Sequence, residues 1–220
     1  MKKSLLTLSI AMAVLSAAQA AKQPNLLILF TDDQTPSTLR CYDEACPIET
    51  PNIDRLAEQG VRFTEAFVTT PICNVSRGCL IAGRYSANTR MHRFDTPLPN
   101  DVFADSYPAH LKEAGYFLGI LGKYGFLNTE KEAETFDVFE AQCHQGPKFR
   151  MYKGKKMHDA EWLTVKTEEF LDAVPKGQPF CLQVNYKEPH ASSDPAPEDD
   201  HLLDDHVFER TPTDSKEGNQ

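Results

Sequence analysis

Apolar and polar positions along this chain fall into blocks that switch between strand-like and helix-like periods. NLLILF, residues 25–30, is a continuous apolar run that stops at Thr31-Asp32-Asp33, the pattern of a strand buried on both faces and ending in an acidic loop. Thr50-Pro51 leads into NIDRLAEQ, where Ile53, Leu56 and Ala57 sit at helical spacing and Gly60 marks the stop, so a helix is predicted. A strand is expected over 61–67, a helix over 76–82 after the TTPICNVSR turn, a helix over 107–114 closed by Gly115, and a short strand over 117–121 running into Gly122-Lys123. Trp162, Val165, Phe170 and Val174 recur at helical spacing in HDAEWLTVKTEEFLDAV, and FCLQVNY, residues 180–186, is the last apolar strand. This alternation predicts an α/β fold, a mostly parallel sheet with helices on both faces. There is no internal repeat and no coiled-coil stripe.

The first twenty residues change the picture at one end. Lys2 and Lys3, an apolar stretch from Leu5 to about Leu15, and Ala18-Gln19-Ala20 form the three regions of an export signal. Residues 1–20 are therefore set apart as a signal peptide. The stretch is too short for a membrane span, and nothing later is long and apolar enough to be one. The expected location is exported, periplasmic or extracellular in a bacterium. Without Lys2 and Lys3 the formal charge of −9 becomes −11, an acidic balance with no basic stripe, which argues against nucleic acid as a partner. Residues 21–190 read as one domain, and 191–220, rich in Pro, Asp, Glu and Ser, as its loop-rich end. Of the six cysteines only Cys41 and Cys46 have a suggestive spacing. Their pairing is left open, because it requires the loop to fold back until the Cα atoms are within roughly 7 Å.

Four polar clusters fall just after predicted strands: Asp32-Asp33, Cys73 to Arg77, Lys123 and His190. In open α/β sheets the strands' carboxyl ends are where ligands bind. Adjacent aspartates at a buried strand end repel unless a hard cation or a pair of basic groups neutralises them. An acidic loop capping a helix accounts for the pair equally well when it is taken alone. Cys73 begins a turn that enters a helix, where free N–H groups favour an anion, and Arg77 adds a fork of donors. Taken alone, a Cys-x3-Arg spacing is weak, since cysteine is often simply buried.

These residues in combination resemble a known family. CNVSRGCLIAGR is similar to the sulfatase signature, in which Cys-x-Pro-Ser-Arg precedes a short helix. LILFTDDQ, TPNIDRLAEQGVRFTEAF, LGK at Lys123 and NYKEPH ending at His190 match further blocks in the same order. The resemblance implies the N-terminal part of an alkaline-phosphatase-like domain, incomplete at the C-terminal end. It also implies a sulfuric ester hydrolase in which Cys73 is converted to formylglycine by a maturation enzyme, either formylglycine-generating or anaerobic. Asp32, Asp33 and the modified Cys73 would hold calcium, with magnesium as the alternative. Arg77 would hold the modified side chain, Lys123 would bind sulfate oxygens, and His190 would bind sulfate or protonate the leaving oxygen. The substrate would be a sulfated carbohydrate or a small sulfate ester.

Departures from the family pattern keep a second function open. Val75 stands where the family usually has proline or alanine, Lys123-Tyr124-Gly125 stands for Lys-Trp-His, and Ala82 replaces a threonine. The family's remaining metal ligands have only Asp204-Asp205-His206 as a lookalike, which reads as loop. The alternative is a truncated or degenerate relative that binds sulfated glycans without cleaving them. A phosphatase of the same superfamily would call for Ser or Thr as nucleophile and histidine-rich zinc ligation, and the chain shows neither. Arg84 is expected to pair with a carboxylate or the helix end, and His92, His110, His144 and His158 to lie on the surface.

Overall fold

The computed structural model describes residues 23–94, 96–125, 130–142 and 146–190. The expected signal peptide, the 191–220 end with Asp204-Asp205-His206, and His144 lie outside the described residues. Strand β1 (Leu26–Asp32) leads to helix α1 (Pro51–Gln59), α2 (Cys73–Ala82), two single-turn helices α3 (Ser86–Thr89) and α4 (Asn100–Phe103), and α5 (Tyr107–Glu113). Next come β2 (Phe117–Lys123), α6 (Glu130–Thr135), β3 (Val138–Gln142), the hairpin of β4 (Phe149–Tyr152) and β5 (Lys155–His158), α7 (Asp159–Ala173) and β6 (Phe180–Pro189). Four strands form one sheet in the order β1-β6-β2-β3. Every pairing in it is parallel, with Leu26 opposite Cys181, Leu118 opposite Cys181, and Lys123 opposite Gln142. All four strands therefore deliver their carboxyl ends to one rim.

Alternation along the strands sorts the core into two layers. On one face Leu118, Ile120 and Cys181 pack with Val75, Ile81, Val102 and Phe103 from α2 and α4. On the other, Leu121, Leu182 and Val184 pack against Trp162, Leu163 and Phe170 of α7. Helices thus cover both faces, as the alternating pattern predicts. Gly119 lets α7 approach closely, since a Cβ there would lie 2.4 Å from the Phe170 ring.

Expectations are corrected at β1, at the 61–67 segment and at His158. β1 is not buried on both faces: Leu27 and Leu29 are 52% and 53% exposed, because α7 covers β2 and β6 but stops short of β1. No strand forms over 61–67, where Val61, Phe63 and Phe67 are exposed and no neighbouring strand among the described residues supplies a ladder. The apolar stripe of α1 is likewise uncovered among the described residues, with Ile53 and Leu56 exposed. Cys41 and Cys46 are free thiols. His92 and His110 lie at the surface as expected, but His158 is half-buried and caps α7, its Nδ1 accepting from the Ala160 N–H. Arg84 pairs with Asp105. Among the described residues no helix is long and apolar enough to cross a membrane.

Candidate active site

Asp32 closes β1 at the rim and is buried. Its carboxylate meets two cations: the Lys123 ammonium donates to Oδ2, and Arg77 Nη2 lies 3.7 Å from Oδ1. Both basic side chains are themselves buried, Arg77 at 1% exposure and Lys123 at 2%. Three charges withdrawn from water together are tolerable because each has a partner of opposite sign. Burial pulls the Arg77 guanidinium below its ordinary pKa, and the Asp32 charge opposes that shift.

Cys73 is the first residue of α2 and Arg77 lies one turn on, so both face the same side of the helix. The helical ladder begins with the Ser76 N–H bonding the Ile72 carbonyl at 2.8 Å, and the N–H groups of residues 73–75 precede it. A proline at the third position would give up only one of those donors, so Val75 leaves the helix start unchanged, and its side chain is fully buried in the core. Gly83, in the left-handed region at φ 61°, ends the helix by donating to Cys79 and Leu80 carbonyls. Asn74 is buried and donates to the carbonyls of Arg93 (2.9 Å) and Phe94 (2.7 Å), tying the helix start to that loop.

Cys73, Ser76 and Arg77 line one cavity of about 490 Å³ with Phe30, Asp32, Asp33 and Gln34. Asp33 has φ 59° and an exposed side chain whose Oδ2 is 3.7 Å from His190 Nε2. Asp32, Arg77 and Lys123 are thus in mutual contact, Cys73 and Asp33 share a cavity with Asp32 and Arg77 while Lys123 lies buried behind Asp32, and His190 joins through Asp33. Gly125, in the place of the family's histidine, has φ 96°, and a Cβ there would lie 2.8 Å from Arg77 Cδ and 3.2 Å from Asn74 Cα. The backbone passes too close to the guanidinium stem for a side chain.

Sequence reasoning missed the polar groups beneath the site. Arg77 Nη1 donates to the Lys123 carbonyl at 2.8 Å and to Asn185 Oδ1 at 3.0 Å, and the guanidinium stacks 4.8 Å from the Phe30 ring centroid. Asn185 and Gln183 are both buried in β6. The signal was present in FCLQVNY, where two amides occur at alternate positions of an otherwise apolar strand. A second buried ionic cluster lies along the rim, where Asp159 holds Arg150 and lies 3.9 Å from Lys187, with Arg150 4.1 Å over the Trp162 ring.

As a cation site the residues fit in part. Two carboxylates offer the hard oxygens that calcium and magnesium take, but calcium needs roughly six to eight. No group of three His, Cys, Asp or Glu among the described residues could hold a metal ion, and Asp32 is engaged by Lys123 and Arg77. The donor set is incomplete within these residues.

The chain matches the Sulfatase family over residues 24–216. It is 29% identical over 94% of its length to an N-acetylglucosamine-6-O-sulfatase of Bacteroides thetaiotaomicron, covering 39% of that protein. It is 36% identical over 64% of its length to the N-acetylgalactosamine-6-sulfatase of Canis lupus familiaris, covering 30% of it. Its backbone resembles a protein solved with its substrate D-glucosamine-2-N,6-O-disulfate, with TM-score 0.72 and 26% identity over 87% of this chain and 40% of that one. The chain therefore spans about two fifths, or less, of the length of these relatives. A match over most of its length, with the signature cysteine and arginine facing paired aspartates, makes this chain a member of the Sulfatase family.

Proposed function

We propose that the chain is the nucleophile-bearing part of an exported sulfuric ester hydrolase that removes sulfate from a sulfated carbohydrate, with 6-O-sulfated glucosamine residues the first substrates to test. The observation that carries this reading is the single cavity shared by Cys73, Asp32, Asp33 and Arg77, with the Lys123 ammonium held against Asp32. Relatives named as 6-O-sulfatases of amino sugars support the substrate class.

In this reading Cys73 is matured to formylglycine by a partner enzyme. The hydrated aldehyde supplies one hydroxyl to attack sulfur and a second whose deprotonation releases sulfate and restores the aldehyde. Arg77 holds the modified side chain and its fork of donors receives the oxyanion beside it, while Lys123 gathers the charge that builds on the sulfate oxygens. They are fixed in place by Asp32 before substrate arrives, so little reorganisation is needed at the moment of reaction. His190, whose Nε2 lies 3.7 Å from the Asp33 carboxylate, gives a proton to the leaving oxygen. Asp32 and Asp33 would contribute to a calcium or magnesium ion, completed by ligands from outside the described residues, that lowers the pKa of the attacking hydroxyl.

The test is mass spectrometry of the Cys73 peptide from protein made in its own host, alongside sulfate release from a 6-O-sulfated glucosamine. Formylglycine at position 73 and loss of turnover in Cys73→Ala by at least about a thousandfold, the scale on which nucleophile removal acts, are expected. Turnover by protein bearing an unmodified thiol overturns the reading. Val75 and Gly125 favour a second reading, a sulfated-glycan binder without turnover. It predicts calorimetric binding of a sulfated oligosaccharide by protein whose Cys73 remains a thiol.

A further inference from the structure

We propose that Asn185 and Gln183, anchored by Tyr107, are positioning residues that hold the Arg77 guanidinium by one edge and keep its other edge ready for an anion. This rests on the reading of Arg77 as an anion-holding group.

The direction of each hydrogen bond can be derived. A guanidinium only donates, so the Asn185 atom that meets Arg77 Nη1 at 3.0 Å is its oxygen. The Asn185 amide nitrogen then faces the Leu121 carbonyl at 3.2 Å. Gln183 Nε2 donates to the same Asn185 oxygen at 2.7 Å, which turns the Gln183 oxygen toward the Tyr107 hydroxyl. Both amides are 1% exposed; a flip of Asn185 would set its NH2 against the Arg77 donor, and a flip of Gln183 would set its oxygen against the Asn185 oxygen. Burial raises the Tyr107 pKa, so the hydroxyl stays protonated and the direction of the chain does not change with pH in the working range.

The consequence lies at the guanidinium. Nη1 is doubly engaged, by Asn185 and by the Lys123 carbonyl, whereas Nε and Nη2 find no acceptor within hydrogen-bond distance although they are buried. Asp32 lies 3.7 Å from Nη2 and gives charge without a hydrogen bond. Nε and Nη2 are the pair that grips an oxyanion in two parallel bonds, and Arg77 lines the cavity beside Cys73. Buried donors lacking acceptors are costly, so an entering sulfate oxygen relieves a deficit already present.

The test uses the full chain and inorganic sulfate as the probe, read by calorimetry and by 15N spectra of labelled arginine. Asn185→Leu should weaken sulfate binding about tenfold or more, and Asn185→Asp, which keeps the acceptor, should recover most of it. Arg77 should show separate Nη1 and Nη2 signals in the wild type and in Asn185→Asp, and averaged ones in Asn185→Leu. Equal losses in the two variants, or none, overturn the inference. Should the wild type bind no sulfate and Arg77→Ala change nothing, the anion-holding reading fails by itself. The spectra then decide alone: separate wild-type signals that collapse in Asn185→Leu support the network, and averaged wild-type signals overturn it.

Discussion

Lys123 shows how little a single residue declares about its surroundings. In the sequence it is a lysine after a glycine, as consistent with a solvated tip as with a site, and only the parallel pairing of β1, β6 and β2 brings it onto Asp32. Because both charges are buried, removing one leaves the other poorly compensated. Lys123→Met should lower stability by about 3 kcal/mol in urea unfolding, and adding Asp32→Asn should restore a large part, since the uncompensated carboxylate is then gone. Additive losses would show that the pair is not coupled. The signature arginine was legible from its spacing to Cys73. What holds it was not, because Asn185 is 108 positions away and no local pattern reports such a contact.

Elements were legible where their own sequence carries the signal. The helix over 159–173, the closing glycines and the buried β6 follow from period and punctuation alone. The 61–67 segment has strand-forming residues, but a strand needs a neighbour to bond, and none is present among the described residues. The β4–β5 hairpin, unforeseen, is tied to α7 by charge. Glu169 accepts from the Tyr152 hydroxyl and pairs with Lys153 and Lys166, and these bonds lower its pKa from 4.5 to about 2. A carboxyl with a depressed pKa contributes stability that is present above its unfolded value and disappears as pH falls through its folded one. Acid unfolding followed by circular dichroism should therefore steepen between pH 4.5 and about 2, and Glu169→Gln should flatten that limb. An unchanged limb in the variant would remove Glu169 from the account.

At the scale of the molecule, one rule made the candidate site legible: parallel strands gather the residues at their carboxyl ends onto one rim. The uncovered surface was not legible, since an apolar run looks the same whether or not its outer face has a partner. Leu27, Leu29, Phe63, Phe67 and Val68 are exposed, and one edge of β1 pairs with no strand among the described residues. A polypeptide of these 220 residues is expected to self-associate at micromolar concentration. Sedimentation velocity should show mass rising with loading, and Leu27→Lys with Leu29→Lys should suppress it. A concentration-independent monomer would mean that these faces are covered in solution.

The same strand also sets a timetable for biosynthesis. Asn25 and Phe180, neighbours in the finished sheet, are separated by 155 positions along the chain. At a translation rate of about 5–20 residues per second, the first strand leaves the ribosome roughly ten to thirty seconds before the one it pairs with. During that interval NLLILF has no sheet to join, so the sheet closes around its first strand only after β6 has been made.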